Sequence, residues 1–285
     1  MVLHKTDRIN NLYRNKVIQY ALVMIVVIWT LYPFYSMFVA SMKNVGELYN
    51  LEANPFWINK PTLSNFIYLF TQTNYLKWYI NSSIVGISTV LISTIISLLF
   101  AYSVAVLRTK GGLALGVMIF MVYLIPQTLL FLPLNSLVNS LGISDSLWSL
   151  IFTYPTFQIP FSTWLLIGYF QNIPKEMIEA ARVDGASTIQ ILRKIVIPIS
   201  SPILITVMLF SFVLSWGDLI YALVFISSST RETLGVGTVT QLIRGDSFFW
   251  GPLMAGGLLA AIPVVILFSF FLDQYVSGIT SGSVK

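Results

Sequence analysis

Six apolar stretches, each long enough to cross a lipid bilayer, constrain the fold of this chain more than any other feature. A transmembrane helix needs roughly 20 predominantly apolar residues in succession. The six stretches lie at residues 17–40, 79–107, 113–135, 147–169, 200–226 and 251–276. Only 9% of the residues are charged and the mean hydropathy is +0.81, which excludes an ordinary soluble domain. The sequence therefore predicts an all-α membrane protein with six transmembrane helices.

The distribution of lysine and arginine predicts how these spans are oriented. With the N-terminus inside, only five of the 16 basic residues fall on outer segments: Lys43, Lys60, Lys77, Arg231 and Arg244. Because basic residues concentrate on the cytoplasmic side, both termini are predicted to lie in the cytoplasm. This gives a tail at residues 1–16, a membrane domain at 17–276 and a tail at 277–285. The first apolar stretch is too long for a cleavable signal peptide and is interpreted as a retained span.

Residues 174–202 form a hydrophilic island between the fourth and fifth apolar stretches. Pro174 favours the start of a helix, because its missing N–H would be unpaired at that position in any case. Glu176 and Glu179 add negative charge near this helix start, where the helix dipole favours it. Gly185 then interrupts the helical pattern and permits a sharp turn. The island is therefore predicted to begin with a short, polar helix on the cytoplasmic side.

The second half of the island predicts another helix. Ser187 and Gln190 have the spacing of a capping box, in which each side chain accepts a hydrogen bond from the other residue's backbone N–H. Pro198 is predicted to end this helix, because a proline disfavours helical backbone at the preceding residue, Ile197. Apolar residues recur between these points at helical spacing: Ile189, Leu192 and Ile195. Two short helices joined at a glycine are more typical of a docking surface than of a simple connection.

No motif in the sequence predicts catalysis or cofactor binding by this chain. It contains no GxxxxGKS/T phosphate-binding loop, no paired-carboxylate or Ser-His-Asp arrangement and no cysteine. The single histidine, His4, lies in the N-terminal tail, so no metal site is expected. The basic residues are scattered rather than arranged in a stripe, so the net charge of +5 does not predict nucleic-acid binding. An ATP-driven process would need an ATPase on another chain.

The spacing of small and charged residues within the island resembles a known motif. These residues are Glu179, Ala180, Ala181, Asp184, Gly185 and Ala186, followed by Ile195, Pro198 and Pro202. They resemble the EAA motif of permease subunits of binding-protein-dependent ABC importers. The segments KPTLSNF, NSSIVG, AYSVAVLR and VSGITSGSVK extend the resemblance over nearly the whole chain. They are similar to the carbohydrate branch of the family, and in particular to the smaller permease of maltose-type systems.

This resemblance implies a function, a set of partners and a location. It implies that residues 174–202 form a two-helix coupling loop between spans four and five, whose EAA positions contact an ATPase. The implied partners are a second permease subunit, a cytoplasmic ABC ATPase dimer that uses ATP and Mg, an extracytoplasmic sugar-binding protein and membrane lipid. The implied location is the cytoplasmic membrane of a bacterium or archaeon. The implied mechanism is alternating access.

Helix breakers and polar residues inside the apolar stretches are candidates for a substrate pathway. Irregular backbone at membrane depth is tolerated only where protein or a water-filled cavity covers it, although prolines also simply kink membrane helices. The breakers are Pro126, Pro155, Pro160 and Pro263, and the amides beside them are Gln127 and Gln158. Each amide is predicted to line the pathway or, alternatively, to join neighbouring helices through hydrogen bonds.

Asp218 places a carboxylate inside the fifth stretch, at a cost of about 2.5–3.5 kcal/mol near the bilayer centre. It is predicted to accept hydrogen bonds from sugar hydroxyls or to act as a gate; the alternative is a capping or pairing role. Tyr154, Trp216 and Tyr221 are predicted to stack on sugar rings, and the alternative is packing or an interfacial position. The family usually has asparagine where this chain has Gly217.

Other substrates and other classes of protein are alternatives at this point. An importer of glycerol-phosphate esters would need basic residues well inside the spans, and their absence from the sequence favours a neutral sugar. A stand-alone secondary transporter would need an ion relay, for which the ionisable residues inside the spans are too few. A membrane-embedded enzyme would need a catalytic constellation, which the sequence lacks.

Overall fold

The computed structural model describes residues 16–245 and 247–281, and most of them lie in helices. They form two compact units. The first contains the described residues up to Thr73 and Arg244–Leu259, and the second contains Asn74–Ile243 and the described residues from Ala260 onward. In chain order the elements are α1 (Lys16–Met42), α2 (Val45–Leu48), α3 (Ser64–Gln72), α4 (Tyr75–Ala105), α5 (Gly112–Tyr123), α6 (Gln127–Ser140), α7 (Leu147–Thr153), α8 (Pro155–Phe170), α9 (Lys175–Val183), α10 (Thr188–Ile191), a π-helical turn (Leu192–Val196), α11 (Ile197–Ile199), α12 (Ser201–Trp216), α13 (Ile220–Phe225), α14 (Leu234–Leu242), β1 (Ile243–Arg244), β2 (Ser247–Phe248) and α15 (Trp250–Ser281).

In the first unit, helix α1 is apolar on every side and most of its side chains are exposed. Such a helix suits a surrounding of lipid rather than water. Near its end, the Asn65 side chain donates hydrogen bonds of 2.8 Å to the backbone oxygens of Ser41 and Lys43. The last carbonyl groups of a helix have no hydrogen-bond partner within the helix. The Asn65 amide therefore supplies a donor to the carbonyl groups at the end of α1 and fixes α3 against this end.

The core of the second unit is built on α4, α8 and α12, which pack against one another. Small hydroxyl side chains line the places where these helices meet, and Ser93, Ser162 and Ser211 are all buried. Small residues allow helices to approach closely in a membrane, where the hydrophobic effect does not drive their association. Two hydrophobic clusters complete the core, one around Phe170 and one around Tyr154.

The predicted multi-pass membrane architecture is confirmed. Among the described residues, three helices are long and apolar enough to cross a membrane, within α1, α4 and α15. The number rises to five if α5 with α6, bent by 99°, and residues 188–199 with α12, bent by 79°, are each one span. The fourth predicted span is divided into α7 and α8, and the fifth is continuous only to Trp216. The count of six therefore stays a prediction.

The ends of the chain fall partly outside the described residues. The predicted N-terminal tail at 1–16, which contains His4, lies outside them except for Lys16. Helix α15 has a kink at Phe271, where the backbone leaves helical geometry with φ −116° and ψ 16°. The part after the kink continues through Ser281, so the predicted end of the last span at residue 276 falls within a helical segment.

The prediction that Pro198 ends the second helix of the island is wrong. Ile197 keeps helical backbone angles, with φ −59° and ψ −49°, and the helix breaks only at Ser200. Proline disrupts an α-helix because it lacks an N–H and its ring meets a carbonyl of the preceding turn. Here the preceding turn is π-helical, with the Ile197 N–H bonded to the Leu192 oxygen. This wider turn accommodates the proline and moves the bend two residues onward.

Candidate functional site

The first helix of the 174–202 loop is α9, which ends in a Schellman motif. The Ala186 N–H donates a 2.9 Å hydrogen bond to the Ala181 oxygen, and the Gly185 N–H donates one of 3.0 Å to the Arg182 oxygen. Gly185 has a φ of +79°, a conformation that strongly favours glycine. Ala181 and Ala186 also pack against the hydrophobic cluster around Phe170. Their small side chains and the glycine together set the turn between α9 and α10.

The predicted capping box at the start of α10 is confirmed. The Gln190 N–H donates to the Ser187 hydroxyl over 3.3 Å, and the Ser187 N–H donates to the Gln190 side-chain oxygen over 2.8 Å. The Tyr102 hydroxyl donates a further 2.9 Å hydrogen bond to the backbone oxygen of Thr188. The start of α10 is therefore tied to the end of α4.

One side of the 174–202 loop is anchored and the other is free. Ile178 and Ile191 are buried in the hydrophobic cluster around Phe170. The opposite side, which we call the docking face, exposes charged and apolar side chains together: Glu176, Met177, Glu179, Ala180, Arg182, Val183, Asp184 and Ile189. None of its charged groups forms a salt bridge with another described residue. Exposed apolar side chains framed by unpaired charges are characteristic of an interaction surface.

The position of Ile189 differs from the sequence pattern. The helical spacing groups it with Leu192 and Ile195, which pack partly against the core. In the structure Ile189 is 73% exposed, while Ile191 takes the buried position. Because α10 has only four residues before the π-helical turn, a regular helical period does not describe which side chains face inward. Ile189 therefore adds an apolar side chain to the docking face.

Four of the six pathway candidates come together where two apolar stretches are interrupted. The Tyr154 hydroxyl donates a 2.7 Å hydrogen bond to the Asp218 carboxylate, and the Tyr221 hydroxyl donates one of 3.1 Å to the backbone oxygen of Gln127. The two tyrosine rings meet edge to face, with their centroids 6.2 Å apart. Both tyrosines are buried, Asp218 is half-buried and Gln127 is exposed. The cluster thus joins the break before α6 to the break before α13.

The Asp218 carboxylate also caps helix α13. The same oxygen that accepts from Tyr154 accepts a 3.1 Å hydrogen bond from the Ala222 N–H. The first N–H groups of a helix have no partner within it, and a carboxylate is well suited to satisfy them. Asp218 therefore has the capping and pairing role that was the alternative interpretation of this residue, and the residue as a whole remains half-buried.

The other two candidates, Gln158 and Trp216, serve packing in this structure. Gln158 is buried, accepts a 2.7 Å hydrogen bond from the Ser93 hydroxyl and donates one of 3.2 Å to the Ser211 backbone oxygen. Its amide therefore joins α4, α8 and α12. The Trp216 indole N–H donates a 3.0 Å hydrogen bond to the Ala260 backbone oxygen. The geometry favours the interhelical alternative for both residues over contact with a sugar.

A polar cluster that the sequence analysis missed lies in the loops after α6 and α13. Asp145 accepts hydrogen bonds from the backbone N–H groups of Ser227, at 3.0 Å, and Ser228, at 2.9 Å, and from the Ser228 hydroxyl. It also forms a 3.2 Å ion pair with Arg231. The hydrogen bonds from Ser228 and Ser227 lower the pKa of Asp145 to about 2. The partners lie more than 80 residues away, so no local pattern pointed to them.

Comparison with known proteins decides the family. Residues 93–280 match the model of the family described as "binding-protein-dependent transport system inner membrane component". This range includes the 174–202 loop and all of the pathway candidates. The chain belongs to this family. The predicted membership of the binding-protein-dependent permease family is therefore confirmed.

The similar permeases include proteins of sugar transport systems. The trehalose/maltose transport system permease protein MalG of Thermococcus litoralis is 33% identical over 258 residues, covering 90% of this chain and 91% of MalG. The maltodextrin transport system permease protein MdxG of Bacillus subtilis is 30% identical over 273 residues, covering 95% and 96% of the two chains. A chain from the crystal structure of a bacterial ABC transporter involved in alginate import has the same fold. It superposes with a TM-score of 0.80 at 21% identity, covering 94% of this chain and 97% of its own.

Proposed function

We propose that this permease is a subunit of an ATP-driven importer that moves a neutral sugar or oligosaccharide across the cytoplasmic membrane by alternating access. The observation that carries the proposal is the docking face of the 174–202 loop, whose apolar side chains are exposed and whose charged side chains form no salt bridge with a described residue. The chain has no phosphate-binding loop, so the energy must come from an ATPase bound to this face. The sugar-transport permeases among its relatives support a carbohydrate as the cargo.

The EAA residues divide into two roles in this proposal. Glu179, Ala180 and Asp184 are exposed and contact the ATPase, and the small side chain of Ala180 allows a close approach. The other three, Ala181, Gly185 and Ala186, shape the turn that holds α9 in its docking position. These are the contacts that the EAA resemblance implies, placed on the residues that are accessible to make them.

Movement of the docked loop would be passed on to the spans through buried contacts. Ile178 and Ile191 of the loop share one hydrophobic cluster with Phe170 of α8 and Tyr102 of α4. Well-packed clusters transmit displacement because they contain few voids that could absorb it. A shift of the ATPase would thus displace the ends of α4 and α8. These are the helices whose rearrangement would open the pathway to one side or the other.

The pathway itself is proposed to be lined by the exposed amide of Gln127 and by the half-buried Asp218. The Tyr154 hydroxyl holds the Asp218 carboxylate by a hydrogen bond, and the Tyr221 hydroxyl holds the backbone oxygen of Gln127. Neutral and singly charged acceptors of this kind suit sugar hydroxyls better than phosphate esters, which would require cations. Gln158 and Trp216 support the site by holding the helices together.

Membership of the family supports the remaining parts of the proposed assembly. Six spans place both termini and the 174–202 loop in the cytoplasm, with α7 and α8 forming the fourth span. The partners are a second permease subunit, an ABC ATPase dimer that binds ATP and Mg, and an extracytoplasmic sugar-binding protein. The membrane is the cytoplasmic membrane of a bacterium or archaeon.

Reconstitution tests this proposal. Proteoliposomes that contain this chain, its partner permease and the ATPase should accumulate labelled oligosaccharide only when ATP is supplied on the ATPase side and the binding protein on the other. The isolated chain should not hydrolyse ATP. Uptake in vesicles without the ATPase, or ATP hydrolysis by the isolated chain, would contradict the proposal.

A further inference from the structure

The first unit contains an aromatic cavity of about 540 Å³ that the proposed transport function does not use. Helices α2 and α3 and the segment that leads into α15 form its walls. Five aromatic residues contribute to the lining: Tyr49, Tyr68, Phe248, Phe249 and Trp250. Binding pockets for small molecules commonly have this size and combine aromatic walls with a few polar groups.

The aromatic rings are arranged in two stacked pairs. Tyr68 and Phe249 stack with centroids 5.9 Å apart and planes inclined by 16°, and Phe248 and Trp250 stack at 5.1 Å and 11°. The Tyr49 hydroxyl donates a hydrogen bond to the Phe248 backbone oxygen. Tyr49 and Trp250 are nevertheless 54% and 41% exposed. The rings therefore have fixed positions while parts of their surfaces remain open to a ligand.

The polar wall of the cavity is also fixed in place. Asn65 is buried and donates hydrogen bonds to the backbone oxygens of Ser41 and Lys43. Gly251 lies so close to the Asn65 side chain that any larger residue would overlap with it. A wall held by such contacts would lose little conformational entropy when a ligand binds.

Among the described residues, no charged side chain lines the cavity. The nearby Arg244 guanidinium lies over the ring of Phe249, 5.7 Å from the ring centroid. A lipid with an anionic headgroup would require cations in the lining. An acyl chain could not form hydrogen bonds with the polar side chains of Tyr49, Ser64 and Asn65. A pyranose ring has an apolar face of C–H groups that packs on aromatic rings and an edge of hydroxyls that pairs with polar groups. The lining matches both surfaces of such a ring.

We propose that this cavity is a carbohydrate-binding subsite that holds sugar rings of the transported substrate on the extracytoplasmic side. The inference rests on the proposed function, because the predicted topology places residues 41–78 outside the membrane. A transit site of this kind must release its ligand readily, so its dissociation constant is expected to be about 1 mM.

Cysteine protection tests the subsite, since the chain has no cysteine of its own. Ser64 is exposed on the cavity wall, so the variant Ser64→Cys reports on occupancy. The assembled transporter, without its binding protein, is treated with a membrane-impermeant maleimide in the presence of maltose, maltotriose, trehalose or diacetylchitobiose. Asn59→Cys is the matched control, because Asn59 is exposed on the same connection but does not line the cavity.

The sugar that the transporter imports should slow the labelling of Ser64→Cys several-fold and leave that of Asn59→Cys unchanged. The acyclic polyol mannitol should have no effect at either position. Adding Trp250→Leu to Ser64→Cys should abolish the protection, because it removes one of the stacked rings.

Two outcomes would overturn the subsite: no protection by an imported sugar, or equal protection at both cysteines. Uptake measured on the same assemblies separates the two proposals. If uptake is intact and protection is absent, only the subsite fails. If none of the sugars is imported, the proposed carbohydrate cargo fails and the subsite fails with it.

Discussion

Two loops of the second unit show opposite ways of using polar residues. In the 174–202 loop, the charged groups of the docking face are exposed and form no salt bridge with a described residue. In residues 226–234, which follow α13, several polar groups are hydrogen-bonded within the chain, although one side-chain oxygen each of Glu232 and Thr233 is buried without a partner among the described residues. Asp145 accepts from Ser227 and Ser228, and the Trp78 indole N–H and the Asn81 amide donate to the backbone oxygens of Ser229, Thr230 and Glu232.

This difference indicates that the 174–202 loop is an interaction surface and that residues 226–234 stabilise the fold. A loop whose hydrogen bonds are satisfied internally has a single preferred conformation and little to offer another protein. A loop that is anchored on one side by buried isoleucines and left unpaired on the other is held in position for a partner that completes it. The comparison predicts that changes in the 174–202 loop affect coupling, whereas changes in the 226–234 region affect stability.

The largest effect is expected from Gly185→Val. A β-branched residue at a φ of +79° costs about 1–2 kcal/mol, so the turn should open and coupled uptake should fall roughly tenfold or more. Uptake and co-purification with the ATPase measure this effect. Gly168→Ala is the control, because Gly168 lies in α8 at a position with open space around it. Normal coupling in Gly185→Val would contradict the role of the turn.

Reversal of a charge on the docking face should have the next largest effect. Glu179 is exposed in the second turn of α9, so Glu179→Lys should leave the fold intact and weaken ATPase association by roughly fivefold, or about 1 kcal/mol. The loss should depend on ionic strength, which a folding defect would not explain. Glu52→Lys, on an exposed loop of the first unit, is the matched control. Equal association of both variants with the ATPase would argue against docking at Glu179.

Removal of the exposed amide should affect transport without affecting coupling. Gln127→Ala is expected to reduce uptake a few-fold while ATPase association stays normal. The hydrogen bond from Tyr221 goes to the backbone oxygen of Gln127, so the substitution leaves that contact in place. Thr128→Ala, at the next exposed position of α6, is the control. Unchanged uptake in Gln127→Ala would remove this residue from the pathway.

The smallest effect on transport is expected at Asp145. Asp145→Asn keeps a residue that tolerates positive φ but removes the charge, so the thermal midpoint should fall while uptake at 25 °C is unchanged. Because the pKa of Asp145 is lowered from 3.8 to about 2, its stabilisation is present above pH 3.8 and is lost as the pH falls towards 2. Thermal unfolding of the wild type and the variant at pH 7 and pH 3 measures this; a constant difference would contradict it.

Local patterns predicted much of the 174–202 loop. The capping box of Ser187 and Gln190 and the turn at Gly185 depend on residues a few positions apart, so their chemistry can be read directly from the sequence. The interruption at Pro126 was predictable for the same reason, since a proline changes the backbone wherever it occurs. The π-helical turn before Pro198 was not, because it depends on how α10 packs on the core.

Long-range contacts account for what the sequence did not predict. Gln158 could line a pathway or join helices, and the choice was made by Ser93 and Ser211, which lie 65 and 53 residues away. Asp145 gained its role only when residues more than 80 positions later folded against it. The hydrogen-bonding capacity of each side chain could therefore be predicted from the sequence. Its partner could not, because the partner depends on how distant segments pack together.

The accessibility of one cysteine in the docking face tests the central claim most directly. Val183 is 88% exposed on α9, so Val183→Cys, in a chain without other cysteines, should leave the fold unchanged. In inverted membrane vesicles, an impermeant maleimide should label this cysteine after the ATPase has been removed and should not label it while the ATPase is bound. In intact cells, the same reagent should not label this cysteine. Asn59→Cys should show the reverse sidedness and no response to the ATPase. Labelling of Val183→Cys in intact cells, or labelling that the bound ATPase does not change, would contradict the account.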